Sequence, residues 1–454
     1  MKFGMVAVGL ALIAAAGPRP ALAEDRAPAP PAAPAESPWT VSGSLRVRAE
    51  SLAGQFRPRL AEHDDVLFTR AILALGYDAG RVRFGAELFD SRAFGQDSRS
   101  SVGTSEVNAL ELVQAYAEVD LDEGGASTLQ LGRMTMDLGS KRLVSRQNFR
   151  NTTNAYTGVR LQTALAGGGL TAFWVLPHYR LPDDRPGVED HAVEWDREST
   201  DLQLFGASWV RAVGDRAATL ELYGYGLLER DDAALQTRNR RLFTPGFRWR
   251  RPPRAGRMDF ELEAAGQVGS ARRTAAVADT RDLDVAAWFI HAELGRTLDH
   301  AWKPRLAAHY DQASGDRGGD RYTRFDPLFG ARRFEFGPAG LYGPISRQNL
   351  RSPGVRVEIR PSSRFEAMAM YRGLWLDSPT DAPGLTGVAD PSGRSGRFAG
   401  QQLETRARYA LDPDRVWLEV GAARLFKGRH LGEAPNAPDT GDTVFGYADV
   451  TVSF

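Results

Sequence analysis

The sequence predicts an all-β chain: a single transmembrane antiparallel β-barrel of about 18 strands, with short turns at one rim and long loops at the other. Three observations predict it. From Trp39 to Phe454 apolar and polar residues alternate in segments of about ten residues. The connections between these segments are short and long in strict turn. The last segment is amphipathic and closes on an aromatic residue, Phe454.

Composition bounds the alternatives. The chain has 454 residues, 47 Gly, 26 Pro and no Cys, with 57 acidic residues balancing 57 Lys+Arg. Without Cys there is no disulfide scaffold, thiolate nucleophile, iron–sulfur cluster or cysteine-bound zinc. A net charge of zero argues against a nucleic-acid partner, which requires a basic surplus. No run after residue 17 approaches the roughly 20 apolar residues of a membrane helix.

In chain order, Lys2 precedes the apolar stretch Phe3 to Gly17 and the small-residue triplet Ala21-Leu22-Ala23. This reads as a secretory signal peptide over residues 1–23. Residues 24–38 carry five prolines among alanines and form a stiff periplasmic linker. The barrel occupies 39–454. Its first strand places Val41, Gly43, Leu45 and Val47 on one face and Ser42, Ser44, Arg46 and Arg48 on the other. Further strands are expected near 66–78, 80–92, 107–121, 127–136, 156–164, 169–178, 200–212, 216–228 and 240–251. The rest fall near 256–269, 283–297, 303–311, 348–360, 364–376, 401–411, 414–427 and 442–454. Turn-forming residues such as Asp78-Ala79-Gly80, Ala166-Gly167-Gly168 and Pro361-Ser362-Ser363 fill the short connections. Long polar segments fill the others, and two of them, 137–155 and 312–347, are the candidates for folding into or over the pore. A sandwich or propeller would show no such contrast between its two ends. In a barrel of this width the apolar face meets lipid and the polar face lines a water-filled lumen.

One segment carries a family likeness. It runs Leu129-Gln130-Leu131-Gly132-Arg133, then Asp137-Leu138-Gly139-Ser140-Lys141-Arg142-Leu143-Val144, then Asn148-Phe149-Arg150-Asn151-Thr152. With Glu87–Arg92, Ala313–Asp316 and Phe325–Phe329 it resembles the alginate-export family of outer-membrane porins. The closing strand ending in Phe454 also resembles the signal read by the outer-membrane barrel assembly machinery. The resemblance implies a passive pore in the outer membrane of a Gram-negative bacterium, surrounded by outer-membrane lipid. It implies an anionic polysaccharide substrate, an arginine-rich constriction, and periplasmic polysaccharide export or uptake components as partners. No cofactor is expected.

Strand parity identifies arginines that face inward. If Leu45, Val82, Val159, Val357 and Ala407 face lipid, then Arg46, Arg48, Arg83, Arg160, Arg356, Arg406 and Arg408 line the lumen, with Arg70 and Arg372 by the same alternation. A guanidinium is permanently charged and its planar fork matches a carboxylate, so these groups suit a uronate polymer. The competing reading is structural. Glu50, Glu87, Glu118, Glu221, Glu261, Glu263, Glu358 and Glu404 share the inner face, and Arg–Glu ladders are ordinary wall architecture. Arg133, Arg142 and Arg150 lie in or beside the family signature and are the foremost candidates for the lumenal substrate path. Strict alternation turns Arg133 toward lipid beside Leu131, unless a bulge re-aims it or it lies beyond the apolar band.

The other chemistry is sparse. The seven His show no metal-ligand spacing, and the acidic stretches near 183–190 and 311–320 match no calcium loop, so no metal site is expected. Ser208, Ser270 and Ser346 lack a nucleophile-elbow context, which argues against an outer-membrane hydrolase. A general or small-anion uptake porin of the same fold is the main alternative.

Overall fold

The structure is a computed structural model describing residues 37–214, 218–231 and 235–454. The expected signal peptide and nearly all of the linker lie outside the described residues. The wall begins with β1 (Trp39–Ala53), β2 (His63–Asp78), β3 (Val82–Phe94), β4 (Asn108–Asp120), β5 (Thr128–Met134) and β6 (Tyr156–Leu165). It continues with β7 (Gly168–Pro177), β8 (Leu202–Val213), β9 (Ala218–Glu229), β10 (Arg241–Arg251), β11 (Met258–Ala271) and β12 (Leu283–Thr297). After β13 (Arg305–Ala313) comes a two-residue strand, β14 (Arg321–Tyr322), that adds to β12 in parallel. The wall is completed by β15 (Leu350–Ile359), β16 (Phe365–Trp375), β17 (Phe398–Asp412), β18 (Val416–Lys427) and β19 (Thr443–Ser453).

Each wall strand pairs antiparallel with its neighbours, and β1 pairs with both β2 and β19, so the sheet closes. Leaving out β14, the wall has 18 strands, as the alternation predicts. At the seam Arg46 stands opposite both Arg70 and Thr451, and Leu45 opposite Ala71 and Val452. Closure leaves the sheet without an open edge strand, which the hydrocarbon region demands. The outward face carries Leu45, Leu73, Leu131, Val357 and Val420, all exposed in the isolated chain. Aromatic residues mark its two edges: Trp39, Phe84, Trp249 and Trp302 near the short turns, and Phe94, Trp174, Phe243 and Tyr371 near the long loops. These are the interfacial girdles of a membrane barrel.

The lumen departs from the sequence expectation in one respect. Toward the long-loop rim, strands also carry apolar residues on their inner face: Phe68, Phe89, Phe173, Leu204, Tyr225, Phe289 and Phe445, all buried. They pack against residues that the long loops bring inside, among them Phe149, Leu143, Phe325, Phe336 and Tyr342. The segments 135–155 and 314–349 fold into the barrel and clasp each other. Val144 bridges to Phe329, Gln147 Nε2 donates to Gly330 O at 2.6 Å, and Ala331 N donates to Lys141 O at 2.9 Å. Gly330 sits so close to the Arg142 backbone that a Cβ there has no room. This level of the lumen is therefore filled by protein rather than by water. Period-two contrast fades where both faces of a strand are covered, which hides the packing from parity.

Candidate functional site

Inner-face arginines follow the predicted parity, but they meet very different partners. Most of the wall arginines are neutralised by carboxylates. Arg48 bonds Asp449 at 2.8 Å, Arg83 bonds Glu118 at 2.9 Å, Arg356 lies 3.2 Å from Glu293, and Arg408 reaches Glu366 at 3.1 Å and Glu419 at 3.0 Å. Arg372 is fully buried, 3.4 Å from Asp311 and donating to Ser352 Oγ and Glu335 O. Arg406 stands between Glu366 and Glu419 electrostatically, and Arg160 feels Glu118 and Tyr116. The ion-paired groups form the cross-strand ladder of the structural reading, whereas Arg160 and Arg406 make no ion pair among the described residues.

Arg133 does not join them. It sits opposite Ala115 and Thr157, on the outward side that alternation assigns to it. There it pairs with Glu111, with Glu198 3.9 Å away, beneath the segment around Asp196. Its place in the signature is structural: it ties the β5 end to the 178–201 loop. Arg142 is the strut of the folded-in segment. Its guanidinium pairs with Glu261 and Glu263 on β11 and with Glu335 in α1 (Arg333–Phe336), spanning wall and both loops. Burial works against its charge, and Glu261 and Glu263 more than offset that, leaving its pKa raised.

A second set of arginines is held by neutral oxygens. Arg46 donates to Asn148 O and Phe149 O, both at 3.2 Å, and to Asn151 Oδ1 at 3.0 Å. Arg70 donates to Asn148 O at 2.7 Å and Arg150 O at 3.1 Å. The Asn148–Asn151 backbone thus presents carbonyls to the wall. The Asn151 amide in turn donates to Thr69 O at 3.0 Å and Glu106 O at 2.8 Å.

Above this cage four half-buried arginines converge from four loops. Arg150 donates to Asn154 Oδ1 at 2.7 Å, and Arg180 to the same oxygen at 3.0 Å and to Thr104 O at 2.9 Å. Arg57 donates to Leu341 O at 2.9 Å and Tyr342 O at 2.6 Å, and Arg332 to Gly343 O at 3.4 Å. None of the four makes an ion pair among the described residues; the carboxylate whose field all four feel is Glu106, with Asp196 adding to it at Arg180. Burial and the neighbouring Arg332 bring Arg57 down to about 10, and burial and Arg180 lower Arg150 as well. Burial pushes the Glu106 carboxyl up to about 7, against a Gly103 N–H that donates to it at 3.2 Å. Four guanidiniums around Glu106, with Asp196 at the edge beside Arg180, leave a surplus of positive charge. That arrangement suits a carboxylate-bearing guest.

Of this cluster the sequence singles out Arg150 alone. Arg57, Arg180, Arg332 and Glu106 lie in loops, where alternation is silent. The one available signal was the pair Arg332-Arg333 just past the Phe325–Phe329 motif.

Comparison with known proteins decides the family. The alginate export family model matches residues 37–445. The chain belongs to the alginate export family. Among solved structures the barrel is similar to OccK9 (OpdG) of Pseudomonas aeruginosa, with a TM-score of 0.61 at 12% identity over 92% of this chain and 98% of that one. OccK8 (OprE) of the same organism gives 0.59 at 11% identity over 92% and 98%. OccK2 (OpdF), also of Pseudomonas aeruginosa and solved in complex with glucuronate, gives 0.53 at 14% identity over 91% and 95%. No curated protein matches the chain. The protein is an outer-membrane β-barrel porin of this family, and its signature residues form the lumenal carbonyl cage and its strut.

Proposed function

We propose that the protein is a passive channel for a carboxylated saccharide, an alginate-like polyuronate or its oligomers. The observation that carries this reading is the cluster of Arg57, Arg150, Arg180 and Arg332. These groups are half-buried, held by neutral oxygens, and opposed by Glu106, with Asp196 acting on Arg180 alone. A uronate carboxylate replaces the missing counter-charge, while each contact stays weak enough for release because the guanidiniums keep their carbonyl partners. Arg46 and Arg70 support the cage below through the Asn148–Asn151 segment. Glucuronate in OccK2 is a carboxylated sugar in a barrel of the same architecture, which agrees with the proposal. A polymer must displace the clasp of segments 135–155 and 314–349 to thread the lumen; monomers and short oligomers need less.

Single-channel recording in a planar bilayer tests this, with reversal potential under a salt gradient and titration with oligouronates. Anion selectivity with saturable uronate block, weakened in Arg332→Gln and Arg180→Gln, is the expected result. A large, weakly selective conductance indifferent to uronates, in wild type and variants alike, makes the protein a general porin and refutes the proposal.

A further inference from the structure

Midway along β12 and β13, the inner face brings together His291, Glu293 and His309. Each offers one ligand atom, and these atoms all lie within 4.8 Å of one another. The register explains the grouping. His291 and Glu293 are two apart on β12 and so share a face, while Glu293 stands opposite His309 and His291 opposite Asp311 on β13. No spacing rule along the chain reveals this, because the ligands come from two strands.

We propose that these three residues form a binding site for a divalent transition-metal ion of the zinc class, set in the barrel wall. The unmet valences of the two imidazoles point to it. His291 is 0% exposed; its Nδ1 lies 2.7 Å from Asp311 Oδ1, and its Nε2 meets no hydrogen-bond partner. His309 is 4% exposed; its Nδ1 lies 3.1 Å from Glu293 Oε2, and neither ring nitrogen meets a hydrogen-bond partner. Buried polar atoms are nearly always satisfied, so two buried imidazoles with unpartnered ring nitrogens beside one carboxylate call for a guest. The His291–Asp311 contact is the outer-shell arrangement that fixes a ligating histidine: Nδ1–H donates to the carboxylate, which leaves the Nε2 lone pair free. Two imidazoles and a carboxylate are a zinc donor set that leaves a further position for water or a carboxylate oxygen.

The surrounding charges set the terms of binding. Arg305 pairs with Glu293 Oε1, and Arg356 Nη2 lies 3.2 Å from Oε2. Arg372 lies 3.4 Å from Asp311, while Asp259 and Glu358 both pair with Arg305. Four carboxylates therefore face three guanidiniums, and the ion competes chiefly with Arg356 for Glu293. Arg356 has an alternative partner in Glu358, 3.1 Å from its Nε.

The test is a zinc titration of the folded, chelator-stripped barrel in detergent, read by competition with a chromophoric chelator, with cobalt absorption reporting the ligand geometry. One equivalent of Zn2+ bound at about micromolar affinity or better is expected, with a tetrahedral or five-coordinate Co2+ spectrum. His309→Asn and Glu293→Gln each weaken binding at least about tenfold, and Asp311→Asn weakens it about tenfold to a hundredfold through the outer shell. Arg356→Gln tightens it by removing the competitor. The heat-modifiable electrophoretic shift of a folded barrel confirms that each variant is assembled. Wild type binding no saturable Zn2+, or binding abolished by exposed-residue variants His63→Asn or His300→Asn and unaffected by His309→Asn, overturns the proposal.

Discussion

Replacing Arg142 by methionine removes the strut between wall and folded-in loops while keeping the bulk of its stem. Three carboxylates lose a partner, but not equally. Glu261 keeps Arg248 at 2.9 Å, and Glu335 keeps Arg347. Glu263, whose side chain is 2% exposed, is left with two neutral donors, Ser140 Oγ at 3.0 Å and Tyr223 OH at 2.9 Å. Breaking a fully buried pair costs about 3–5 kcal/mol, and with two of the three acids still partnered the low end applies, about 3 kcal/mol. The protein relieves that cost by letting water reach Glu263, which requires segment 135–155 to leave its seat. A change of about 3 kcal/mol shifts the docked-to-undocked ratio by about a hundredfold. Single-channel recording then shows a larger, noisier conductance in Arg142→Met, with the barrel still folded by electrophoretic mobility. Wild-type conductance and noise in a folded Arg142→Met barrel refutes the idea that this strut holds the loop in place.

Other expectations follow from the same structure. Gly330→Ala drives a methyl group into the Arg142 backbone, so it parts the two loops and raises conductance while leaving every charge in place. Uronate block strengthens as pH falls through about 7, because Glu106 takes up a proton and ceases to repel the anion; Glu106→Gln binds as tightly at pH 8 as at pH 6 and flattens the profile. The same carboxyl, raised from 4.5 to about 7 by burial, favours the protonated folded state, so its contribution to stability declines as pH rises across that window and the decline disappears in the Gln variant. Arg332→Gln weakens uronate block by about tenfold, the loss of one charge-assisted contact, measured from the block constant at fixed salt. Gly43→Val sets a side chain against the Phe454 ring, 2.6 Å from a Cβ there, and against Ile72 O at 2.8 Å, so the fraction of chain reaching the folded, heat-modifiable form falls.

The wall was legible because one physical rule governs it. A residue facing lipid and its neighbour facing the interior alternate along each strand, and that rule places Arg46, Arg83, Arg356 and Arg408 on the inner face where the structure has them. It also puts Arg133 on the outward side, where the structure has it, whereas its place in the family signature pointed to the lumen. The rule says nothing of loops that fold back into the barrel. The pocket formed by Arg57, Arg150, Arg180 and Arg332 depends on tertiary placement of four loops, and only Arg150 stood in a recognisable segment. The signature itself reads differently once seen in three dimensions: Asn148, Asn151 and Asn154 hold arginines through neutral oxygens, so the segment acts chiefly as scaffold. The His291–Glu293–His309 group escaped for a related reason, since its spacing exists across a strand pair and not along the chain.

The seam between β1 and β19 gives the arginine cage a place in time as well as in space. Arg46 belongs to the first strand, Asn148 to a loop a hundred residues later, and Arg332 to a loop later still. No fragment of the chain emerging into the membrane owns the whole cluster, and the strand that supports its base is the one zipped to the final strand. An anion that fits this cluster recognises only a finished wall, and by mass action it stabilises that wall over any unzipped intermediate. Cargo would then act as a late fastener, guarding the seam at which the barrel is most easily opened.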